Sequence, residues 1–218
     1  MYIIVVGAGR VGQSLIKIAT ERGHNVVVID RDENKCSEIV EKHDVIAIYG
    51  DSTIKTILED AGAQKADALV TTTNDDAVNL LTVLVAKELG IKSLVSLVSQ
   101  PDHALMFRRM GVNVMENPAQ AVAEYLYRVL QRPSIRDFMS IGGGEAEIFE
   151  IVVTERAAVV GRTLDELKLP LKDTLIVAIT RDEEIIIPRG DTMIRDGDRV
   201  TVFALARRIE EITKLFTG

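Results

Sequence analysis

The chain has 218 residues, 47% of them hydrophobic and 27% charged, enough to bury a full core in one large or two modest domains and too apolar for a disordered segment. Its net charge of −7 argues against a general nucleic-acid surface, which needs clustered cations against the phosphates. The single cysteine, Cys36, allows no internal disulfide and suits a reducing compartment, and no run approaches the ~18 apolar residues of a membrane-spanning helix.

The first stretch, Tyr2 to Val6, is apolar and β-branched and leads directly into Gly7-Ala8-Gly9-Arg10-Val11-Gly12. A helical pattern follows through Leu15, Ile16 and Ala19. Strand, GxGxxG and helix in that order form the context in which the motif has mechanical meaning. Gly7 permits the tight turn, Gly9 lets the backbone approach a pyrophosphate, and Gly12 lets the helix pack close to the strand. The helix then points its free N–H groups and positive dipole end at the phosphates. The next apolar run, Asn25 to Ile29, ends in Asp30, eighteen residues after Gly12. That is near the roughly 20-residue offset of the acid that hydrogen-bonds an adenosine ribose. The chain enters this first strand with no basic n-region, so the expected location is the cytoplasm.

Short strands and longer helices continue to alternate. A helix is expected from Asp32 to about Lys42, a strand over Val45–Tyr49, and a short helix through Ile54, Ile57 and Leu58. Ala68 to Thr72 is a fourth strand with Thr73-Asn74-Asp75-Asp76 at its polar tip. The helix after it, from about Ala77 to Leu89, carries Leu80, Leu81, Leu84 and Val85 on one side. A fifth strand over Ser93–Val98, a helix near Asp102–Met110 and a sixth strand over Val112–Met115 complete the series. Six strands alternating with helices predict an α/β, Rossmann-like, doubly wound parallel sheet.

Asn117-Pro118 is a good helix start, an N-cap followed by Pro at the first helical position. The helix runs to about Gln131, with Val122, Leu126, Val129 and Leu130 as its apolar positions. Two partners are open to that side: its own sheet, or another subunit or domain. The expected division is a nucleotide-binding domain over 1–132, a linker over 133–144 around Gly142-Gly143-Gly144, and a small α+β domain over 145–218. The second domain is expected to hold strands over Ala146–Val153, Thr174–Thr180, Glu184–Ile187 and Arg199–Leu205. A helical patch at Leu164–Leu167 and a terminal helix over Ala206–Phe216 complete it.

Both halves together resemble the TrkA regulatory subunits of Trk-type potassium uptake systems, an RCK/KTN domain joined to a TrkA-C domain. The resemblance rests on the glycine motif, Asp30, Gly50-Asp51-Ser52-Thr53, Thr72-Thr73-Asn74 and Val78-Asn79-Leu80. In the second half it rests on Val160-Gly161-Arg162-Thr163-Leu164, Ile187 to Thr192 and Asp196-Gly197-Asp198-Arg199-Val200. It implies a homo-oligomer, dimers assembling into a ring, docked on the inner face of a membrane-embedded potassium channel or transporter and gating it as a nucleotide binds. It also implies that the helix at 117–131 crosses to a neighbouring subunit.

Carried over residue by residue, Gly7, Ala8, Gly9, Arg10, Val11 and Gly12 hold the phosphates, Asp30 takes the ribose and Arg31 lies near the adenine. Asp51 and Ser52 line the adenosine side, and Thr72, Thr73 and Asn74 border the ligand with Val98 of strand five. Leu97 stands where the family often has a basic residue. An acid at position 30 disfavours NADP. NAD(H) is the favoured ligand, while Arg10 would also suit the terminal phosphate of ADP or ATP.

Two other readings remain at this level. One is an NAD-dependent oxidoreductase, which needs a proton-transfer group near the ligand. His24, His43 and His103 read as solvated surface residues and Cys36 as a core thiol, and their spacing marks no metal site. The other is a nucleotide- or metabolite-sensing module of some other transporter, with Asp191, Asp196 and Asp198 as an acidic cluster that turn chemistry explains equally well.

Overall fold

The computed structural model describes residues 1–167 and 173–218, and the chain divides into two compact units, Met1–Val122 and Ala123–Gly218. The strands of the first unit are β1 (Tyr2–Val6), β2 (Asn25–Asp30), β3 (Ile46–Tyr49), β4 (Ala68–Thr71), β5 (Ser93–Val98) and β6 (Asn113–Glu116). Between them run α1 (Arg10–Glu21), α2 (Glu33–Lys42), α3 (Lys55–Asp60), α4 (Asp76–Glu88) and α5 (Pro101–Arg109); α6 (Pro118–Gln131) follows β6. Every pairing is parallel and the order is β3-β2-β1-β4-β5-β6. This is the doubly wound Rossmann arrangement expected from the sequence.

Strand periodicity divides the apolar runs between two faces. Ile4, Val6, Val27, Ile29 and Leu69 pack with Leu58 of α3, Val83 of α4 and Phe107 of α5. Val5, Val26 and Val28 pack on the other face with Ile16 and Ala19 of α1 and Ile39 of α2. Helices cover both faces, so the strands can be apolar almost throughout. The order reverses between β1 and β4, and a crevice opens there at the strands' carboxyl ends.

One helix divides its apolar side. On α4, Leu81 and Leu84 are exposed, while Asp76, Asn79 and Thr82 are buried with Val83 and Ala86. Of the apolar side read from the sequence, Leu80 and Val85 pack on the core, and the inward face also carries polar side chains that bond to neighbouring segments.

In the second unit, β7 (Ile135–Ile141), β8 (Ala146–Val152), β9 (Thr174–Arg181), β10 (Glu184–Ile186) and β11 (Arg199–Leu205) form an antiparallel sheet of order β10-β9-β11-β8-β7. Helix α7 (Ile209–Thr217) buries Ile209, Ile212 and Phe216 against Phe149, Ile151, Val200 and Val202. Residues 133–144, expected as a linker, hold β7 and a 3-10 turn over Gly142–Gly144, whose three positive φ angles only glycine adopts freely. Leu164 to Leu167, expected as helical, are turns beside a bridge between Thr163 and Met193.

Asp198 is 1% exposed and accepts two 2.8 Å bonds from Arg181, through Nε and Nη2, and a third from the Arg195 N–H. The acidic cluster is therefore split, with Asp198 committed to a structural ion pair. No residue of α6 is buried among those described. Tyr125 stacks on Phe138 at 5.1 Å, and Arg128 and Arg132 bond the buried Glu147 carboxylate at 2.6 and 3.1 Å.

Candidate functional site

The site begins with the bare start of α1. Gly9 caps the helix with no side-chain hydrogen bond, whereas Asp32 and Asp75 cap α2 and α4 through their carboxylates. Among the described residues, the first N–H groups of α1 thus have no intrahelical or side-chain acceptor, and the dipole adds positive potential there. Gly7, Gly9, Arg10 and Val11 line a groove of about 950 Å³, with Thr72, Thr73 and Asn74 across the switch point.

The three glycines differ in what they do. Gly7 has φ +98°, a turn conformation that disfavours any side chain. At Gly12 a Cβ would lie 1.9 Å from the Gly7 carbonyl oxygen, so this glycine permits the loop to fold onto the helix. At Gly9 a Cβ would meet nothing within 4 Å among the described residues beyond its chain neighbours. The space beside Gly9 opens at the groove.

Asp30 and Thr72 brace this loop. Asp30 Oδ2 accepts a 2.6 Å bond from the Ala8 N–H and Oδ1 accepts a 2.9 Å bond from the Asp32 N–H. Thr72 Oγ1 lies 2.8 Å from the Gly7 carbonyl and 3.1 Å from that of Val6, a single hydroxyl proton shared between them. Asp30 also lines a second cavity of about 300 Å³ with Arg31, Gly50, Ser52, Thr73 and Asn74. Asp30, Thr73 and Asn74 border both spaces, which adjoin across the β1–β4 crevice.

Arg31 and Asp51 form a 2.7 Å ion pair, and Asp51 Oδ1 also accepts the Thr53 N–H and hydroxyl. The bond from Arg31, then those from Thr53, hold the Asp51 carboxyl at a pKa of about 2. Ser52 is buried and shares a 2.7 Å hydrogen bond with Thr82 of α4.

The groove or the smaller cavity thus gathers Gly7, Gly9, Arg10, Val11, Asp30, Arg31, Ser52, Thr72, Thr73 and Asn74. The remaining candidates do not line either space. Ala8 is buried and contributes its N–H to Asp30, Gly12 packs beneath the loop, and Asp51 stands behind Arg31. The side chain of Val98 lies in the core, and only its carbonyl, accepting from the Asn117 N–H at 2.7 Å, reaches toward the site. A one-residue step along a strand turns a side chain to the other face.

Sequence reasoning missed Lys35, Ser99, Asn117, Pro118 and Val122, which line the larger groove along with Leu97. Lys35 sits one turn into α2, three residues past its cap, a spacing that could have marked it. His103 is exposed, as expected, and also hydrogen-bonds Asp76 at 2.8 Å through Nδ1; it does not line either cavity.

Comparison with known proteins bears on both units. Residues 3–118 match the TrkA-N domain family and residues 148–217 the TrkA-C domain family. The chain is 32% identical over 218 residues to a Trk system potassium uptake protein TrkA homolog from Methanothermobacter thermautotrophicus, covering 100% of both chains. It is 32% identical over 216 residues to TrkA homolog 1 of Methanosarcina mazei, with 98% of this chain covered, but spans only 48% of that longer relative. Among solved structures, the GsuK channel bound to NAD superposes with a TM-score of 0.63 at 18% identity, over 100% of this chain and 39% of that one.

Proposed function

From a chain that belongs to the TrkA family, we propose a regulatory subunit that binds a nucleotide and conveys its presence to a membrane potassium channel or transporter. The observation that carries the ligand is the uncapped N-terminus of α1 opening on a switch-point groove with Asp30 at its border. Adenosine would occupy the smaller cavity between Asp30, Arg31 and Ser52, and a pyrophosphate would lie against Gly9 and Arg10. The second half of a dinucleotide would extend toward Leu97, Ser99 and Asn117. The larger volume beyond the phosphates supports NAD(H), the ligand of the GsuK structure. Arg10 and Lys35 on the groove support ADP or ATP as the second reading.

Regulation is favoured over turnover. An oxidoreductase needs a proton-transfer group beside its cofactor, and the side chain of His103 is engaged with Asp76 instead. Binding would bias the partner only through unequal affinity for two conformations of the subunit. The apolar face of α6, with Leu126 and Leu130 56% and 80% exposed, supports a helix that packs on a second copy, and so an oligomer at the inner face of the membrane.

Calorimetric titration of nucleotide-stripped protein with NAD⁺, NADH, ADP and ATP tests the reading. Saturable binding that is lost in Asp30→Ala is expected, and the rank order identifies the ligand. No binding of any of the four would overturn it.

A further inference from the structure

The inward face of α4 carries Asp76, Asn79 and Thr82 at intervals of three residues, 9%, 0% and 0% exposed. Burying polar side chains costs stability unless each is hydrogen-bonded, and an apolar face would pack without that cost. Each of the three grips a different segment of the chain. Asp76 accepts the N–H groups of Ser99 and Gln100 at 2.8 and 3.0 Å. Asn79 donates to the carbonyls of Thr73 and Leu97 at 3.0 and 3.1 Å and accepts the Thr73 hydroxyl at 2.7 Å. Thr82 shares its hydrogen bond with Ser52.

These segments are walls of the two cavities. Ser52 borders only the smaller one, Thr73 borders both, and Leu97 and Ser99 border only the larger. The three tethers therefore run in the order of the ligand's parts. Burial would push the Asp76 carboxyl up, but the Ser99 and Gln100 N–H groups and His103 outweigh it and keep its pKa low. Asp76 is thus a charged acceptor on the β5–α5 turn, which strengthens its hold.

We infer that this polar stripe is a set of positioning residues, with Thr82 setting the adenosine wall and Asp76 setting the wall that receives the second half of a dinucleotide. The inference rests on the nucleotide reading of the groove. Asp76 touches no part of the ligand space and acts through Ser99. An asparagine at position 76 would keep one acceptor and turn an amide toward the other backbone N–H. Removing Thr82's hydroxyl would free Ser52 while leaving the β5–α5 turn held.

Titration of the full chain with NAD⁺ and with AMP, in wild type, Asp76→Asn and Thr82→Val, separates these roles. Asp76→Asn is expected to weaken NAD⁺ about tenfold, the loss of one charged hydrogen bond's worth of order, while changing AMP by less than about twofold. Thr82→Val is expected to weaken both ligands by the same factor. General destabilisation would not change the NAD⁺-to-AMP ratio in only one variant. A ratio unchanged in Asp76→Asn, or altered in Thr82→Val, overturns the inference and leaves the nucleotide reading standing. If Asp76→Asn fails to fold, Asp76→Glu, which keeps the charge but displaces the carboxylate from the Ser99 and Gln100 N–H groups, takes its place: a loss confined to NAD⁺ upholds the inference, and an unchanged ratio overturns it. Wild type that binds AMP but not NAD⁺, or neither of them, overturns the inference alone; the nucleotide reading falls only if NADH, ADP and ATP fail to bind as well.

Discussion

The Asp30 carboxylate accepts the Ala8 N–H at 2.6 Å, joining the end of β2 to the glycine loop that follows β1. The acid at the end of the second strand thus holds the glycine loop in shape. A bond to a charged acceptor contributes about 1.5–3 kcal/mol. Asp30→Ala should lower stability by about 2 kcal/mol in urea denaturation as well as abolish nucleotide binding. Asp30→Asn, which retains one acceptor, should lose less of each.

Gly9 and Gly12 should separate folding from binding. Gly12→Ala places its Cβ against the Gly7 carbonyl, and overpacking of this kind costs about 1–3 kcal/mol or more. A melting temperature lowered by several degrees is expected. The Cβ of Gly9→Val points into open space beside the groove, so the variant should change stability by about 1 kcal/mol at most, yet fill the space proposed for a phosphate. Thermal melts beside nucleotide titrations would check both.

The Arg31–Asp51 pair predicts a defined acid dependence. The folded-state pKa of Asp51 is depressed from 3.8 to about 2. Its stabilisation is therefore full above about pH 4 and lost as pH falls through 2. The pair is partly open to water, with Arg31 55% exposed, so solvent screening limits it to about 1 kcal/mol. Asp51→Asn should lower stability at pH 7 by that amount, with the difference shrinking toward zero near pH 2 in denaturant titrations.

Arg181→Met leaves Asp198 a buried carboxylate without its ion partner, keeping only the Arg195 N–H. Breaking one side of such a pair costs about 3–5 kcal/mol. Arg181→Met/Asp198→Leu should recover part of that loss, because both charges leave together. Calorimetric unfolding of the two variants tests it, and equal destabilisation would count against the ion pair as the cause.

The apolar face of α6 predicts association. Leu126→Glu with Leu130→Glu should shift the protein toward a smaller species in light scattering while leaving its unfolding free energy per chain little changed, since neither side chain is buried in the subunit. An unchanged mass would remove α6 from the oligomer interface.

Much of the site was legible because it is local. Gly7, Gly9 and Gly12 lie within one turn, and the acid at position 30 ends an apolar run, so spacing alone carries their geometry. The alternation of β-branched runs with helical periods likewise implied the parallel sheet, through the strand and helix repeats. The second unit was read less well. A glycine run looks like a linker unless the strands on either side are known to pair, as β7 and β8 do, and the turns at Leu164–Leu167 share a helix's apolar spacing without its length.

The amino-acid sequence by itself determined that a strand, a glycine turn and a helix would stand together with an acid opposite, because those residues are neighbours in the chain or in adjacent strands. Only the tertiary structure decided that Asp76, Asn79 and Thr82 face inward while Leu81 and Leu84 face out. Helix periodicity ranks faces by hydrophobicity, and the inward face of α4 is chosen instead by hydrogen bonds to Ser52, Thr73, Leu97 and Ser99. Those partners are distant in sequence and become neighbours only when the sheet is assembled.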